Sequence, residues 1–217
     1  FPRAGQVLTK ICGLTRLEDA LLCAEAGADA IGINFFPKSK RFHPLEQAAL
    51  WLEKVPAGLV RTAVLVNAPV EEVRRIAESG LIDVLQFHGD ETPEDMMGFR
   101  SLGRPVIKAL PLRPDTTLES LRAWPVDALL LDAWAPGVYG GTGHTIDWAH
   151  AAEVIGALAP LPVILSGGLT PANVAEAVRR TRPAGVDTAS GVEIAPGLKD
   201  HGKICSLTGE CLRAATA

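Results

Sequence analysis

Apolar positions along the chain fall into two alternating kinds of segment. Short, nearly continuous apolar runs stand at Val7–Cys12, Leu59–Val66, Pro105–Leu110 and Pro162–Ser166. Four more follow a repeated phrase: a small or turn residue, an aspartate, then an apolar stretch. The copies are Ala26-Gly-Ala-Asp29-Ala-Ile-Gly-Ile33, Gly80-Leu-Ile-Asp83-Val-Leu-Gln-Phe87, Pro125-Val-Asp127-Ala-Leu-Leu-Leu131 and Ala184-Gly-Val-Asp187-Thr-Ala-Ser190. Such runs predict strands buried on both faces, and the glycines before them suit helix C-caps.

Helical spacing fills the gaps. Thr15-x-x-Glu18 reads as a capping box, followed by Leu17, Ala20, Leu21 and Ala24 on one face. Val70, Val73 and Ala77 make a second apolar face, and Val174, Ala177 and Val178 a third. Pro44, Pro69, Pro93 and Pro171 stand where a first helical turn tolerates proline, with Thr92 and Thr170 as N-caps before two of them. Strand and helix alternate throughout, so the strands must run parallel, each crossover carrying a helix. Eight such units predict an α/β protein: a single (β/α)8 TIM barrel with a closed, parallel, eight-stranded sheet over residues 1–217. An open doubly wound sheet is the alternative, and the echo at strands 2, 4, 6 and 8 favours the ring. Residues 1–6, which begin Phe1-Pro-Arg-Ala-Gly without methionine, read as a lead-in outside the fold.

Composition narrows the partners more than the fold. The 217 residues are 47% hydrophobic and 21% charged, enough for one large core, and no linker divides them. A net charge of −4 gives no reason to expect nucleic acid or an acidic membrane surface. No apolar run approaches the roughly 18 residues of a membrane span. Cys12, Cys23, Cys205 and Cys211 are scattered, without Cys-x-x-Cys or zinc-ligand spacing, which predicts a reducing, cytoplasmic setting and no metal. A monomer and a homodimer are equally compatible with the sequence.

In a barrel of this kind the active site lies at the C-terminal strand ends, here Cys12, Asn34, Val66, His88, Lys108, Asp132, Ser166 and Ser190. Strands 7 and 8 run into Ser166-Gly167-Gly168 and Ser190-Gly191. Glycines there bare backbone N–H groups, and the loops after strands 7 and 8 are the usual phosphate site of the fold. Asp132 is a carboxylate ending a buried strand, costly unless it bonds or reacts. The connection after it, rich in glycine through Gly140-Gly-Thr-Gly143, runs about 14 residues, long enough to predict a lid. It has neither P-loop nor dinucleotide spacing.

Cys12 and Asp132 would flank a phosphate-anchored substrate, an arrangement suited to two-sided proton transfer. Cys12 also fits as a small buried hydrophobe, and as a base its thiol would need activation, for which Lys10 faces the same way. Lys38, Lys40 and Arg41 form either an anion clamp or a solvated loop, and His88 either meets a ligand or caps Gly89.

Taken together, Lys10-Ile-Cys-Gly13, Phe36-Pro-Lys-Ser-Lys-Arg41, Gln86-Phe-His-Gly89, Leu131-Asp-Ala133, Pro136-Gly-Val-Tyr-Gly-Gly-Thr-Gly143, Ser166-Gly-Gly-Leu-Thr-Pro171 and Gly185-Val-Asp-Thr-Ala-Ser-Gly-Val-Glu193 resemble the phosphoribosylanthranilate isomerase family. The resemblance runs in order from about residue 8 to Ile204. It implies the cofactor-free Amadori rearrangement of a small phosphorylated substrate, N-(5-phosphoribosyl)anthranilate, in tryptophan biosynthesis. It further implies Cys12 as the general base, Asp132 as the general acid and Arg41 beside the anthranilate carboxylate. Gly167, Gly168, Ser190 and Gly191 match the phosphate cradle, and His88 and Asp187 match positions close to the site. Thr188-Ala189 and Phe87 depart from the family pattern without touching the acid or the base. The related histidine-pathway isomerase is expected to carry aspartate where Cys12 stands. That enzyme, a dual-substrate enzyme and a non-catalytic phosphate-binding barrel are the alternatives.

Overall fold

The computed structural model describes residues 6–133 and 146–216. The predicted lid falls within residues 134–145 and lies outside them. Eight strands close into a parallel barrel in sequence order: β1 Leu8–Cys12, β2 Ala30–Asn34, β3 Val60–Leu65, β4 Val84–Phe87, β5 Val106–Leu112, β6 Ala128–Ala133, β7 Val163–Leu165 and β8 Gly185–Thr188. Helices α1 Leu17–Glu25, α2 Leu45–Leu52, α3 Val70–Glu78, α4 Pro93–Arg100, α5 Leu118–Arg122, α6 Trp148–Leu158, α7 Val174–Thr181 and α8 His201–Ala215 surround it. The closed form predicted from alternation is the one observed.

Strand alternation divides the core in two. Outward positions such as Ile11, Ile31, Leu65, Leu85, Leu129, Leu165 and Val186 pack with helix residues into one large cluster. Inward, the barrel is filled by Ile107, Ala109, Ala128, Leu130 and Ile164 with Val84, all small or branched. This apolar plug floors one half of the barrel. Towards the strand C-termini the inward positions turn polar, and that half holds the site.

The repeated aspartate proves to be a register device in three of its four copies. Thr9, Arg61 and Val106 each donate their N–H to the carboxylate of Asp29, Asp83 and Asp127 at 2.8 Å. The same three residues accept the N–H of that same aspartate through their carbonyls. Each carboxylate thereby locks an even-numbered strand to the strand before it. In β8 the equivalent place, donating to the Val163 carbonyl, belongs to Ala184. Asp187 lies three residues further along, inside the barrel, so it is not the fourth member of the series.

Other local expectations need correcting. Thr15 does not cap α1: its hydroxyl donates to the Gly197 carbonyl, Arg16 takes the N-cap position, and Arg16 pairs with Asp19. Pro44 and Pro69 are N-caps of α2 and α3 rather than first-turn residues. Thr92 does cap α4, in a reciprocal box with Asp95. Thr170 does not cap α7, whose N-cap is Asn173. Lys108 is not a strand end, because β5 runs on to Leu112. Its side chain points outward to Glu91 and the Gly89 carbonyl, both at 2.7 Å. A hairpin absent from the sequence reading, β9 Glu193–Ala195 and β10 Leu198–Lys199, follows a short 3-10 turn at Ser190–Val192. Of the two tail cysteines, Cys211 is buried and Cys205 exposed; all four cysteines are free.

Candidate active site

The polar end of the barrel opens into a cavity of about 750 Å³. Cys12, Arg41, His88, Asp132, Gly167, Gly168, Asp187 and Ser190 all line it. Gly191 stands just behind the wall. A Cβ there would lie 1.9 Å from the Leu169 carbonyl oxygen, so only glycine lets the strand 7 and strand 8 loops approach so closely. Gly167 and Gly168 adopt φ of 90° and 62°, a backbone conformation that favours glycine.

Cys12 ends β1 with its thiol next to the ammonium of Lys10, its inward neighbour. Space for the pair comes from β2. A Cβ on Gly32 would sit 2.7 Å from Cys12 Sγ and 3.1 Å from Lys10 Nζ. A glycine inside a strand often marks such an approach, and the Ile31-Gly-Ile33 run carried that signal unread. Lys10 also donates to Asp187 at 2.6 Å, and the Ser166 hydroxyl reaches the other oxygen of the same carboxylate at 3.4 Å. Burial pushes the Cys12 thiol above its ordinary value; Lys10, and more weakly Lys199, oppose that push without overcoming it. Burial also works against the Lys10 ammonium, but Asp187 and Cys12 outweigh it and hold that group above its ordinary value.

A test of this balance follows. Lys10→Met removes the charge that favours the thiolate and leaves Asp187 beside it unpaired, and both changes act in the same direction. The pH midpoint for alkylation of Cys12 by iodoacetamide, followed on the Cys12 peptide by mass, is expected to move upward. An unchanged midpoint would show that Lys10 does not govern the thiol.

Arg41 is already engaged. Its Nε and Nη2 form a bidentate pair with Glu193 at 2.8 and 2.6 Å, leaving the remaining edge of the guanidinium for a ligand. The approach requires Gly13, where φ is 79° and a Cβ would fall 2.3 Å from Arg41 Cδ. Glu193 also accepts from Lys199 at 2.8 Å, and Lys199 donates onward to the Cys12 carbonyl. A buried cation–anion–cation chain thus links the loop after β2, the β9–β10 hairpin and the backbone of Cys12. Neither Glu193 nor Lys199 was singled out from sequence, since Lys199 follows a plain Pro-Gly turn and nothing local marks its partner. Lys38 and Lys40 stand at the rim and add positive charge near the entrance.

Burial raises the Glu193 carboxyl, but its bonds to Arg41 and Lys199 outweigh that effect and hold it below its ordinary value of 4.5. Its ionised form therefore stabilises the fold above that pH, and the contribution is lost as pH falls through the lower native value. Glu193→Gln leaves the Lys199 ammonium buried without a counter-charge, a change that costs about 3–5 kcal/mol. Urea unfolding at neutral pH is expected to report that loss, with the gap to wild type narrowing in acid. A gap that stayed constant down to low pH would refute the linkage.

Asp132 is the last residue but one of β6, on the far side of β7 and β8 from Cys12. It accepts the Ala133 N–H at 2.8 Å through Oδ1, and its Oδ2 lies 3.3 Å from His88 Nε2. His88 thus meets the acid rather than capping Gly89. Its backbone is fixed from below: the His88 N–H donates to the Leu65 carbonyl, and Glu91 binds both the Gly89 N–H and Lys108. The cavity accordingly holds a thiol on one wall, a carboxyl on another, glycine-rich turns between them and a guanidinium at the side. That set can anchor a phosphate ester, hold a second anionic group and move protons on two faces of the part in between.

The family model for N-(5'-phosphoribosyl)anthranilate isomerase matches residues 9–209. The isomerase of Azotobacter vinelandii is 45% identical over 96% of this chain and 98% of its own length. The crystal structure of phosphoribosyl anthranilate isomerase from Thermus thermophilus superposes with a TM-score of 0.84 at 39% identity, covering 94% of this chain and 98% of that one. A second solved phosphoribosyl anthranilate isomerase, in complex with reduced 1-(o-carboxyphenylamino)-1-deoxyribulose 5-phosphate, gives a TM-score of 0.82 at 34% identity over 95% of this chain and 98% of that one. This chain belongs to the N-(5'-phosphoribosyl)anthranilate isomerase family.

Proposed function

We infer that the protein catalyses the Amadori rearrangement of N-(5-phosphoribosyl)anthranilate to 1-(2-carboxyphenylamino)-1-deoxyribulose 5-phosphate, a step of tryptophan biosynthesis. The observation that carries the reading is the joint placement of Cys12 and Asp132 in one cavity with the strand 7 and strand 8 glycine turns, in a chain of this family. A relative with the same fold binds the reduced form of that product.

In this reading the 5-phosphate sits on the turns at Gly167, Gly168 and Ser190, with Gly191 keeping the two loops close. The free edge of Arg41 takes the anthranilate carboxylate, and Lys38 and Lys40 draw the anionic substrate in. Asp132 protonates the furanose ring oxygen, the C1–O bond breaks, and the nitrogen lone pair forms a C1=N iminium. Cys12, as thiolate, removes the C2 proton. The C2–H electron pair moves to C1–C2 and the C1=N pair returns to nitrogen, giving the enolamine. Tautomerisation then places a proton on C1 and the carbonyl at C2, so the product is an isomer of the substrate. A buried thiolate opposed by little water is a stronger base than an exposed one, and the Lys10 ammonium beside it favours its formation. We read the partner as this small molecule and the setting as cytoplasmic, in keeping with four free cysteines.

Expression in a bacterium lacking its own phosphoribosylanthranilate isomerase is expected to restore growth without tryptophan. Folded, abundant protein that failed to support growth would count against the reading.

A further inference from the structure

Most polar side chains around the cavity are already paired. Lys10 and Ser166 donate to Asp187, Asn34 Oδ1 accepts the Phe36 N–H, and Asp132 lies against His88. Gln86 differs. It occupies the inward position of β4 one step below His88, is 1% exposed, and lines the cavity. Its Oε1 is buried without a hydrogen-bond partner. Its ladder neighbours, Val64 on β3 and Ile107 on β5, are both apolar. A buried acceptor without a partner is destabilising, and a ligand that completes it gives a fold a reason to keep it.

Position says which part of the ligand. β4 stands opposite β8 in the ring, with Cys12 on β1 and Asp132 on β6 to either side. On the function inferred above, the phosphate lies at the β7 and β8 loops and the arene carboxylate at Arg41. What remains to face the β4 floor is the pentose and its hydroxyls. A hydroxyl both donates and accepts, as an amide does. Resting on that function, we propose that the Gln86 amide binds a hydroxyl of the substrate's pentose at the floor of the cavity and thereby contributes to substrate recognition.

The test uses Gln86→Met, close in shape and without the amide, and Gln86→Leu as a second apolar replacement, each with phosphoribosylanthranilate as substrate. KM is expected to rise about 10- to 100-fold, because the sugar hydroxyl is left unpaired on binding. kcat should stay within about threefold, since the contact is made equally before and during reaction. The Tm of the free variants should be no lower than that of wild type, an orphaned polar atom having been removed. Unchanged KM in both variants would overturn the proposal. So would a fall in Tm in both, which would make the amide a structural group. Wild-type protein that consumed no phosphoribosylanthranilate would instead refute the function itself, and this inference with it.

Discussion

Cys12→Ala is expected to fold like wild type and to turn over phosphoribosylanthranilate about 10²- to 10⁴-fold more slowly, the range for losing a general acid–base group. The fold should tolerate the change because the side chain sits at the mouth end of β1, not in the apolar plug formed by Ile107, Leu130 and Ile164. Its removal relieves the crowding that only a glycine at position 32 permits. The Lys10–Asp187 pair does not depend on it. Loss of turnover with an unchanged circular-dichroism spectrum and Tm would therefore report on chemistry. Activity within about threefold of wild type would remove Cys12 from the mechanism, and no other described thiol lines the cavity to replace it.

Asp132→Asn is expected to cost turnover on the same scale, for a different reason. The amide oxygen can still accept the Ala133 N–H that orients the side chain, and the side chain keeps its place beside His88. What is lost, on the proposed mechanism, is the proton that the opening furanose oxygen must receive. Substrate should still bind, because the turns and the Arg41 side chain proposed to hold it are untouched, so the loss belongs in kcat far more than in KM. A variant that raised KM while keeping kcat would mark Asp132 as a binding group only.

Much of the architecture was legible because its causes are local. Alternating apolar runs and helix faces forced parallel crossovers, and eight of them close a ring. The site's two proton-transfer candidates were legible too, since a strand-terminal position names its face and its depth. Sequence failed where contacts join distant segments. The aspartate echo looked like four copies of one device, yet Asp187 points inward to Lys10 while Ala184 occupies the register position. Arg41 read as part of either an anion clamp or a solvated loop, but Glu193, 152 residues later, holds one edge of it. Lys199 reaches the Cys12 carbonyl across 187 residues of chain. The Thr15 capping box matched a local pattern, but the hydroxyl instead meets the Gly197 carbonyl, 182 residues later. In each case a tertiary partner outcompeted the local one.

The central claim is that this cavity performs the isomerisation through Cys12 and Asp132. The most direct measurement follows the fluorescence of phosphoribosylanthranilate in the presence of purified wild-type protein and of the Cys12→Ala and Asp132→Asn variants, with the product identified by mass and chromatography. Rapid loss of fluorescence with wild type, formation of 1-(2-carboxyphenylamino)-1-deoxyribulose 5-phosphate, and near-background rates with both variants are the predicted result. Equal rates for all three proteins, or no consumption by folded wild type, would contradict it.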